Sequence, residues 1–427
     1  MDEQNPWWHG EKDSVYEEWA GSEIKWIPSM LDGLALKPFS LHFVYGPRQV
    51  GKTTALKILI HRELEGRAPD SIFYYSCDEL TGHEELGEVL DDYLSMKNAR
   101  GIKSSLILLD EVTMVGEWWR AVKARVDRGS FSKDVLIITG SASLELSKQR
   151  ELFPGRRGRG GDHLMLPLSF SEFARTIGKL DLRTGGIEAV AKNHDANKVH
   201  GTRISSLFDI YLKTGGFPRS VKEHAATGTV SHETMKVYLD WARGDWARAG
   251  RSDAYMKEVL AYILRARGTP ISWNNIARET SINSPHTART YVETLEGLFI
   301  ALVLPLMSQS GKVEHKKNKK VHLIDPLLYR VFSNYTRCEV LEETVFEATT
   351  AAHVARIAVP YYYSDGRGEV DVVCKVKDGT YGFEATISLR KRVSKPFHMR
   401  EMFLLDRESA PVYLVGMEQA RKDAGQG

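Results

Sequence analysis

The feature that most constrains the fold is a Gly-rich segment, GPRQVGKT, at residues 46–53. Its glycines allow a tight turn in which consecutive main-chain N–H groups point at one anion. An apolar run, SLHFVYG, precedes the segment, and a helical stretch from Thr53 to Glu65 follows it. The segment fits the pattern G-x-x-x-x-G-K-[ST], which needs this strand–loop–helix order to cradle a phosphate. The sequence therefore predicts a P-loop.

A P-loop of this kind binds ATP with Mg²⁺, and these are the predicted cofactors. Lys52 is expected to reach the β- and γ-phosphates and to serve catalysis, and the Thr53 hydroxyl is expected to ligate Mg²⁺. The predicted nucleotide contacts are Gly46, Pro47, Arg48, Gln49, Val50, Gly51, Lys52, Thr53 and Thr54.

A second motif, LILLDE at residues 106–111, ends an apolar run in two acidic residues. Ligands bind at the carboxyl ends of strands in open α/β sheets. Asp110 is therefore expected to hold Mg²⁺, and Glu111 to orient and polarise the attacking water. The alternative is an ordinary helix N-cap after the strand. The strand expected at Ser71 to Ser76, between the motifs, favours P-loop proteins with a catalytic glutamate over kinase-like or small-GTPase arrangements.

Short apolar runs alternate with helical patterns through this part of the chain. Further strands are expected at Leu106 to Leu109 and at Val135 to Thr139, and a helix at Trp118 to Val126. This alternation predicts the α/β class, with a doubly wound parallel P-loop sheet.

Two later segments add candidate residues. After the fourth strand, TGSAS places Thr139 and Ser141 where a hydroxyl could sense the γ-phosphate, although a simple Gly-Ser turn is the alternative. In LFPGRRGR, residues 152–159, Arg156 could act as an arginine finger within the chain or across a subunit boundary. The alternative for Arg156 is a solvated basic loop.

Composition limits the class of protein. A chain of 427 residues is expected to form two or three domains. Lys and Arg total 58 against 56 for Asp and Glu, so any basic surface must be local. Three distant cysteines without a C-x-x-C pair make disulfides and zinc fingers unexpected. The most apolar run, Leu298 to Met307, is too short to span a bilayer, and the N-terminus is unlike a signal peptide. A cytoplasmic protein without membrane association is expected.

Changes of pattern suggest five segments, with the domain boundaries at residues 38, 177, 203 and 335. They are a Trp-bearing arm (1–38), the P-loop core (39–177), a linker or insertion (178–203), a helical and winged-helix domain (204–335) and a C-terminal domain (336–427).

Six segments taken together resemble a known group. They are GPRQVGKTT, LLDEVT, ITGSAS, PGRR, LPLSFSEFAR (166–175) and TGGFPRS (214–220). In this order they resemble the archaeal and bacterial AAA-type ATPases with a C-terminal DUF4143-like region, which are placed near the STAND ATPases. The resemblance extends from about Leu34 to Ile387. It implies an ATPase core, a helical winged-helix domain and a smaller α+β C-terminal domain related to PD-(D/E)XK nucleases.

Residues 271–300 have a helix-turn-helix pattern. Its expected core residues are Ile276, Ala277, Ile282, Tyr291, Val292 and Leu295. The residues expected to face outward on the second helix are His286, Arg289, Thr290 and Glu293. Such a face could read DNA, but Glu293 and Glu296 would repel phosphate, so a packing role stays open. The basic run Lys312 to Lys320 is expected to be a solvated loop, with a phosphate-contacting wing as the alternative.

The nuclease relationship directs attention to two expected strands near the C-terminus. Asp371 lies on one and Glu384 on the next, and Thr386 stands where that nuclease pattern has lysine. Glu343 or Glu347 could add a ligand, and Lys391 or Arg390 could replace the lysine. Since threonine carries no positive charge, a degenerate domain used for binding or scaffolding is expected.

The sequence thus predicts a Mg²⁺-dependent AAA-type ATP hydrolase that acts as a nucleotide-driven switch. Its partners, besides ATP, are expected to be double-stranded DNA or another protein, and a homo-oligomer is compatible with Arg156 acting across a boundary. Two alternatives stay open: an ATP-gated metal-dependent nuclease, and a DNA-binding regulator that uses ATP mainly as a ligand.

Overall fold

A computed structural model of the chain describes residues 1–140, 152–365, 368–387 and 399–418. The chain divides into two units, one comprising Met1–Leu166 and the other beginning at Pro167. The first unit thus ends before residue 177, where the sequence pattern placed the end of the P-loop core. The five predicted segments stay predictions.

The first unit is built on a parallel sheet. Among the described residues its strand order is β2-β3-β4-β1-β5, and every neighbouring pair is parallel. The strands are β1 (Ser40–Tyr45), β2 (Ile72–Ser76), β3 (Leu106–Asp110), β4 (Val135–Gly140) and β5 (Asp162–Leu164). The residues of β3 and β4 are all buried, as expected for strands covered on both faces. Four of these strands lie where the apolar runs predicted them.

The helices of the first unit follow its strands. They are α1 (Ser14–Gly21), α2 (Lys52–Glu63), α3 (His83–Ala99) and α4 (Trp118–Asp127). Short 3₁₀ helices at Asp2–Gln4 and Pro6–His9 begin the chain. Aromatic rings fill much of the core: Phe73 stacks on Tyr93 with ring centroids 4.2 Å apart, and Trp118 stacks on Phe153. The predicted strand–loop–helix order of the P-loop is confirmed.

The second unit starts with helices. They are α5 (Phe170–Thr176), α6 (Val190–Asn197), α7 (Gly201–Thr214), α8 (Pro218–Thr227), α9 (His232–Arg248), α10 (Asp253–Ala266), α11 (Trp273–Glu279), α12 (Pro285–Gly297), α13 (Pro326–Thr336), α14 (Glu342–Ala355) and α15 (Ala410–Val415). The predicted linker, residues 178–203, contains α6 and buries Ile187 and Val190.

A mixed sheet completes the second unit, with the order β11-β10-β9-β8-β6-β7 among described residues. Its strands are β6 (Ala301–Met307), β7 (Val313–Leu323), β8 (Pro360–Ser364), β9 (Glu369–Val376), β10 (Gly379–Ala385) and β11 (Glu401–Leu405). The two strands expected to carry Asp371 and Glu384 are β9 and β10, which pair antiparallel. The predicted fold class, a P-loop sheet followed by a helical region and a mixed-sheet domain, is confirmed.

Two of the segments that carried the family resemblance pack against each other. Leu168 N donates to Gly216 O at 2.8 Å, joining the LPLSFSEFAR segment to TGGFPRS. A side-chain carbon at Gly216 would lie 2.1 Å from Leu168 O, and one at Gly215, whose φ is +61°, would lie 1.8 Å from Asp325 Oδ1. Glycine is required at Gly216 because the main chain of Leu168 lies against it, and at Gly215 because the Asp325 carboxylate lies against it and φ is positive. These segments therefore have a packing role.

Among the helices of the described residues, none combines the length and the apolar character needed to cross a membrane.

Candidate functional site

The loop between β1 and α2 follows a main-chain path that only glycine permits at two points. Gly46 has φ of +153°, and a side-chain carbon there would lie 2.0 Å from Met165 O. Gly51 has φ of +87° and immediately precedes α2. The first N–H groups of a helix have no partner within the helix, so the N-terminus of α2 is suited to an anion.

Lys52 is the first residue of α2, directly after this loop, and is 5% exposed. Its Nζ donates to Gly46 O at 3.1 Å and to Pro47 O at 2.9 Å. The ammonium group is therefore held against the carbonyls of the loop. Val50, by contrast, is completely buried, so only its main chain could face a phosphate.

Asp110 is the centre of a hydrogen-bond network at the carboxyl end of β3. Its Oδ2 accepts from Thr53 Oγ1 at 2.6 Å and from Tyr74 Oη at 3.1 Å. Its Oδ1 accepts from Thr139 Oγ1 and from Glu111 N, the latter at 3.1 Å. The two residues predicted to serve Mg²⁺, Thr53 and Asp110, are thus in direct contact although 57 positions separate them.

A cavity of about 430 Å³ lies beside this network. Its lining residues are Arg48, Gln49, Gly51, Lys52, Thr53, Asp78, Glu111 and Met114. Glu111 therefore faces the same space as the loop residues, as a group that positions water would have to. Its main chain is left-handed, with φ of 54°, at the end of β3. Asp78 and Met114 were not expected from the sequence.

The two predicted γ-phosphate sensors have different outcomes. Thr139 is completely buried, and its hydroxyl donates to Asp110. Ser141 lies outside the described residues. The structure therefore gives Thr139 a partner other than a phosphate and leaves the expectation for Ser141 a prediction.

Arg156 is paired outside the cavity. Its guanidinium binds the carboxylate of Asp127, at the end of α4, and this pair is solvent-exposed. Asp127 raises the pKa of Arg156 further above its ordinary value. Arg156 is not among the residues that line the cavity. A finger role would require the pair with Asp127 to break.

No sequence motif indicated Tyr74, whose hydroxyl donates to Asp110. Burial, followed by the charge of Asp110, raises the pKa of Tyr74 far above its ordinary value, so the phenol stays protonated. The sequence placed Tyr74 on an expected strand, and the structure shows that this strand, β2, is the neighbour of β3 in the sheet. Alternation along a strand does not tell which hydroxyl will meet which carboxylate.

The helix-turn-helix pattern corresponds to α11 and α12. Five of the six residues predicted to form its core are less than 9% exposed, namely Ile276, Ile282, Tyr291, Val292 and Leu295. The sixth, Ala277, is partly buried. His286, Arg289 and Glu293 are exposed as expected, and Thr290 is partly exposed. Arg289 Nε lies 2.7 Å from Glu293 Oε1, so much of its charge is compensated within the helix.

The expectation of a solvated loop for the basic run is wrong. The run belongs to β7, which pairs antiparallel with β6. The register shifts between Pro305, opposite Lys319, and Leu306, opposite Glu314, so that residues 315–318 form an exposed bulge. Proline has no N–H to donate at that point, which favours a bulge. Lys319 and Lys320 beyond the bulge are buried.

Lys320 lies among the carboxylates that the nuclease resemblance had singled out. Its Nζ is 2.7 Å from Glu347 Oε1, 2.7 Å from Glu369 Oε1 and 2.9 Å from Asp371 Oδ1. Of the two alternatives on the preceding helix, Glu347 is in the cluster, whereas Glu343 is exposed. A lysine therefore does stand near these acids, although it comes from β7. Arg390 and Lys391 lie outside the described residues.

Asp371 and Glu384 of this cluster are buried, whereas Glu369 is partly exposed. Asp371 Oδ2 accepts from Ala385 N at 3.1 Å, and Glu384 Oε2 accepts from Asp371 N at 3.3 Å. Burial, followed by the charge of Asp371, raises the pKa of Glu347 to about 8. Burial and Lys320 lower the pKa of His322, which is fully buried without a hydrogen bond, to about 3. Within the described ranges, no group of three or more His, Cys, Asp or Glu residues is arranged to hold a metal ion.

Comparison with known proteins assigns the domain that carries the P-loop. Residues 39–174 match the family model of an AAA domain, AAA_14. These residues form an AAA-type P-loop ATPase domain. Residues 205–337 match a domain of unknown function, DUF8612. The expected DUF4143-like and PD-(D/E)XK relationship is not confirmed, since the family matched in the second unit is a different one.

Similar whole proteins add little about activity. The chain is 26% identical to an uncharacterised protein of Haemophilus influenzae over 301 residues, 67% of this chain and 68% of that protein. It is 25% identical to uncharacterised protein MJ1637 of Methanocaldococcus jannaschii over 191 residues, 43% of this chain and 39% of the relative.

Solved structures similar to the chain include two archaeal proteins. The Walker-type ATPase paby2304 of Pyrococcus abyssi has a TM-score of 0.41 at 15% identity, covering 68% of this chain and 90% of its own. The Aeropyrum pernix ORC2 protein, in ADPNP–ADP complexes, has a TM-score of 0.37 at 14% identity, covering 77% and 95%. Scores this low support no inference about activity.

Proposed function

We propose that the AAA domain hydrolyses ATP with Mg²⁺ and that the protein works as a nucleotide-driven switch. The observation that carries the proposal is the 2.6 Å hydrogen bond between Thr53 Oγ1 and Asp110 Oδ2. It joins the P-loop to the acidic pair at the end of β3, next to a cavity that Glu111 also lines. The match of residues 39–174 to an AAA domain supports the same activity.

The residues present fit a nucleotide phosphate with its metal. The glycine-only path of the loop and the N-terminus of α2 supply N–H groups for a phosphate, and the Lys52 ammonium lies within the loop. Thr53 and Asp110 provide a hydroxyl and a carboxylate oxygen, which Mg²⁺ prefers. Bound Mg²⁺ would neutralise charge on the β- and γ-phosphate oxygens.

The chain's own residues then have distinct tasks. Lys52 would leave the carbonyls of Gly46 and Pro47 to bind phosphate oxygens, and Asp110 and Thr53 are the residues that would hold Mg²⁺. Glu111 accepts a hydrogen bond from the attacking water and aligns it with the γ-phosphate. This division of tasks separates binding from hydrolysis.

Two substitutions test it. Lys52→Ala should strongly weaken ATP binding, because the ammonium that reaches the phosphates is removed. Glu111→Gln should keep ATP binding and slow hydrolysis at least about a hundredfold, in the range of a lost general base. Nucleotide affinity and steady-state phosphate release would be measured for both. Hydrolysis by Glu111→Gln at the wild-type rate would contradict the assignment of Glu111.

We further propose that the switch acts on double-stranded DNA through the helix-turn-helix and the β6–β7 pair. The support is the exposed bulge at residues 315–318, which carries Lys316 and Lys317. Lys319 Nζ donates to the main-chain oxygens of His315 and Lys317, and this holds the bulge together. Exposed lysines on a defined main-chain frame suit phosphate contacts. A protein partner is the outcome if DNA binding is undetectable at low salt.

A further inference from the structure

Residues 1–13 of the N-terminal arm take the place of a neighbouring strand along β2. β2 is at the edge of the five-stranded sheet among described residues, so one row of its main-chain groups has no strand partner. Asn5 Nδ2 donates to Tyr74 O at 2.9 Å, and Asn5 Oδ1 accepts from Tyr74 N at 2.7 Å. Gln4 Oε1 accepts from Ser76 N at 2.6 Å. Side chains of the arm thus form hydrogen bonds with main-chain groups of β2 that a neighbouring strand would otherwise bind.

The tryptophans extend this contact. Trp7 Nε1 and Trp8 Nε1 both donate to Ile72 O, at 3.0 and 2.9 Å. The Trp8 ring also stacks on Phe73. The arm therefore fixes the position of β2 over its whole length. Asn5 and Trp7 are buried.

Lys57 of α2 connects the arm to Tyr74 from the other side. It is 5% exposed, and its Nζ lies 3.0 Å from Asp13 Oδ2. The same ammonium lies 3.4 Å from the centre of the Tyr74 ring and 5.0 Å from that of Trp7. A cation against a ring face is attracted to it, so Lys57 fixes the plane of Tyr74. Lys57 belongs to the helix that begins at the P-loop.

Tyr74 then reaches the nucleotide site. Its Oη donates to Asp110 Oδ2, the oxygen that also accepts from Thr53. A carboxylate with two fixed donors on one oxygen cannot rotate freely about its last torsion. One of the four hydrogen bonds that orient Asp110 therefore belongs to a contact series that starts in the arm at Asp13.

We propose that Tyr74 is a positioning residue that sets Asp110 for Mg²⁺, and that the arm holds Tyr74 in place through the Lys57–Asp13 pair. This inference rests on the proposed Mg²⁺-dependent nucleotide site. The arm would then contribute to Mg²⁺ binding in the ATPase domain, in addition to packing against it. A removed hydroxyl should weaken nucleotide binding only when Mg²⁺ takes part.

Tyr74→Phe tests the proposal because it keeps the ring and removes the hydroxyl. ADP affinity would be measured by calorimetry with Mg²⁺ and with a chelator in its place. Mg²⁺ should strengthen ADP binding by the wild type, and this gain should fall about tenfold in Tyr74→Phe, the usual size for a hydrogen bond to a charged group. Affinity without Mg²⁺ should not change. Tyr75→Phe, on the same strand, is the matched control and should leave the gain intact.

The outcomes separate the inference from the function on which it rests. An unchanged Mg²⁺ gain in Tyr74→Phe, with a wild type that does show it, would overturn the positioning role and leave the ATPase proposal standing. An equal loss with and without Mg²⁺ would also overturn it. A wild type without any Mg²⁺ gain would overturn both. The paired change Lys57→Met with Asp13→Asn should reduce the gain in the same direction, and no change would overturn the part given to the arm.

Discussion

At the scale of residues, three charged side chains of the AAA domain are already paired before any nucleotide is considered. Lys52 binds two carbonyls, Asp110 accepts four hydrogen bonds and Arg156 pairs with Asp127. Binding of a nucleotide must exchange some of these contacts for others. Single substitutions show which of these contacts matter, through their effects on ATP hydrolysis and stability.

Arg156 is expected to contribute nothing to hydrolysis within one chain, because it is paired outside the cavity. Arg156→Ala should hydrolyse ATP at the wild-type rate at low protein concentration, and its thermal midpoint should stay close to that of the wild type, because exposed ion pairs contribute little to stability. Asp127→Ala is the control and should behave alike. If the rate rises with wild-type concentration and does not rise in Arg156→Ala, the arginine acts across a subunit boundary.

A pair of histidines should make the AAA domain sensitive to acid. His42 Nδ1 and His163 Nε2 are 2.8 Å apart, on β1 and β5. Burial, followed by the charge of His42, lowers the pKa of His163 to about 4. An unfolded chain therefore binds more protons than the folded one between about pH 6.5 and pH 4.

The free energy of unfolding should consequently fall as the pH is lowered through this window. The thermal midpoint of the wild type and of His163→Gln would be compared between pH 7.5 and 4.5. The variant should lose less stability on acidification, although His42, whose pKa burial also lowers, contributes in the same direction. Identical pH profiles would mean that His163 titrates normally in the folded state.

At the scale of elements, β7 combines two environments in eleven residues. Its first half carries the exposed bulge, and its last five residues are buried. Both halves pair with β6, and the bulge at residues 315–318 separates them. Only the lysines of the first half are available to a nucleic acid.

Replacing Lys316 and Lys317 together by serine should therefore weaken DNA binding for all sequences alike. Two lost phosphate contacts should reduce the slope of log affinity against log salt by about 2. Binding to duplex DNA would be measured at several salt concentrations. Lys103→Ser with Lys133→Ser, which removes the same charge from exposed positions of the AAA domain, is the matched control. Equal losses in both variants would point to nonspecific attraction.

At the scale of the whole molecule, the second unit closes around a buried charge cluster. Lys320 comes from the segment assigned to the winged-helix domain, and its partners Glu347, Glu369 and Asp371 from the segment assigned to the C-terminal domain. The ammonium lies between the carboxylates, where the nuclease relationship would need a metal. The cluster therefore ties the two segments together.

The wild type should accordingly show no Mg²⁺- or Mn²⁺-dependent cleavage of DNA, with or without ATP. Cleavage of single- and double-stranded substrates would be followed with each metal. Metal-dependent cutting that disappears in Asp371→Ala would contradict this prediction and favour the ATP-gated nuclease. The presence of Lys320 makes that test necessary, since the missing lysine at Thr386 is not by itself decisive.

Removing the ammonium should destabilise the second unit. Lys320→Met leaves buried carboxylates without their counter-charge, which typically costs about 3–5 kcal/mol. The thermal midpoint should fall, and part of the loss should be recovered in Lys320→Met with Asp371→Asn, where one carboxylate is replaced by a neutral amide. Lys317→Met, an exposed neighbour, is the control. A midpoint unchanged in Lys320→Met would contradict the counter-charge role.

The sequence by itself determined the features that depend on residues close together in the chain. The P-loop is encoded in eight positions, and its strand and helix follow from the apolar runs on either side. Asp110 and Glu111 were predicted as site residues because they follow an apolar run that indicates a buried strand, and ligands bind at the carboxyl ends of such strands. The helix-turn-helix core was identified because its spacing reports one face of each helix. In each case the deciding interactions lie within a few residues or one turn.

The tertiary structure decided what depends on distant partners. Lys320 was assigned to a solvated loop, because a run of lysines is usually exposed and its carboxylate partners are 27 and 51 positions away. Tyr74 gained a role only when β2 and β3 became neighbours and brought its hydroxyl to Asp110, 36 positions away. The burial of a charge or a hydroxyl is stabilised by the groups it meets, and only the fold determines which groups those are.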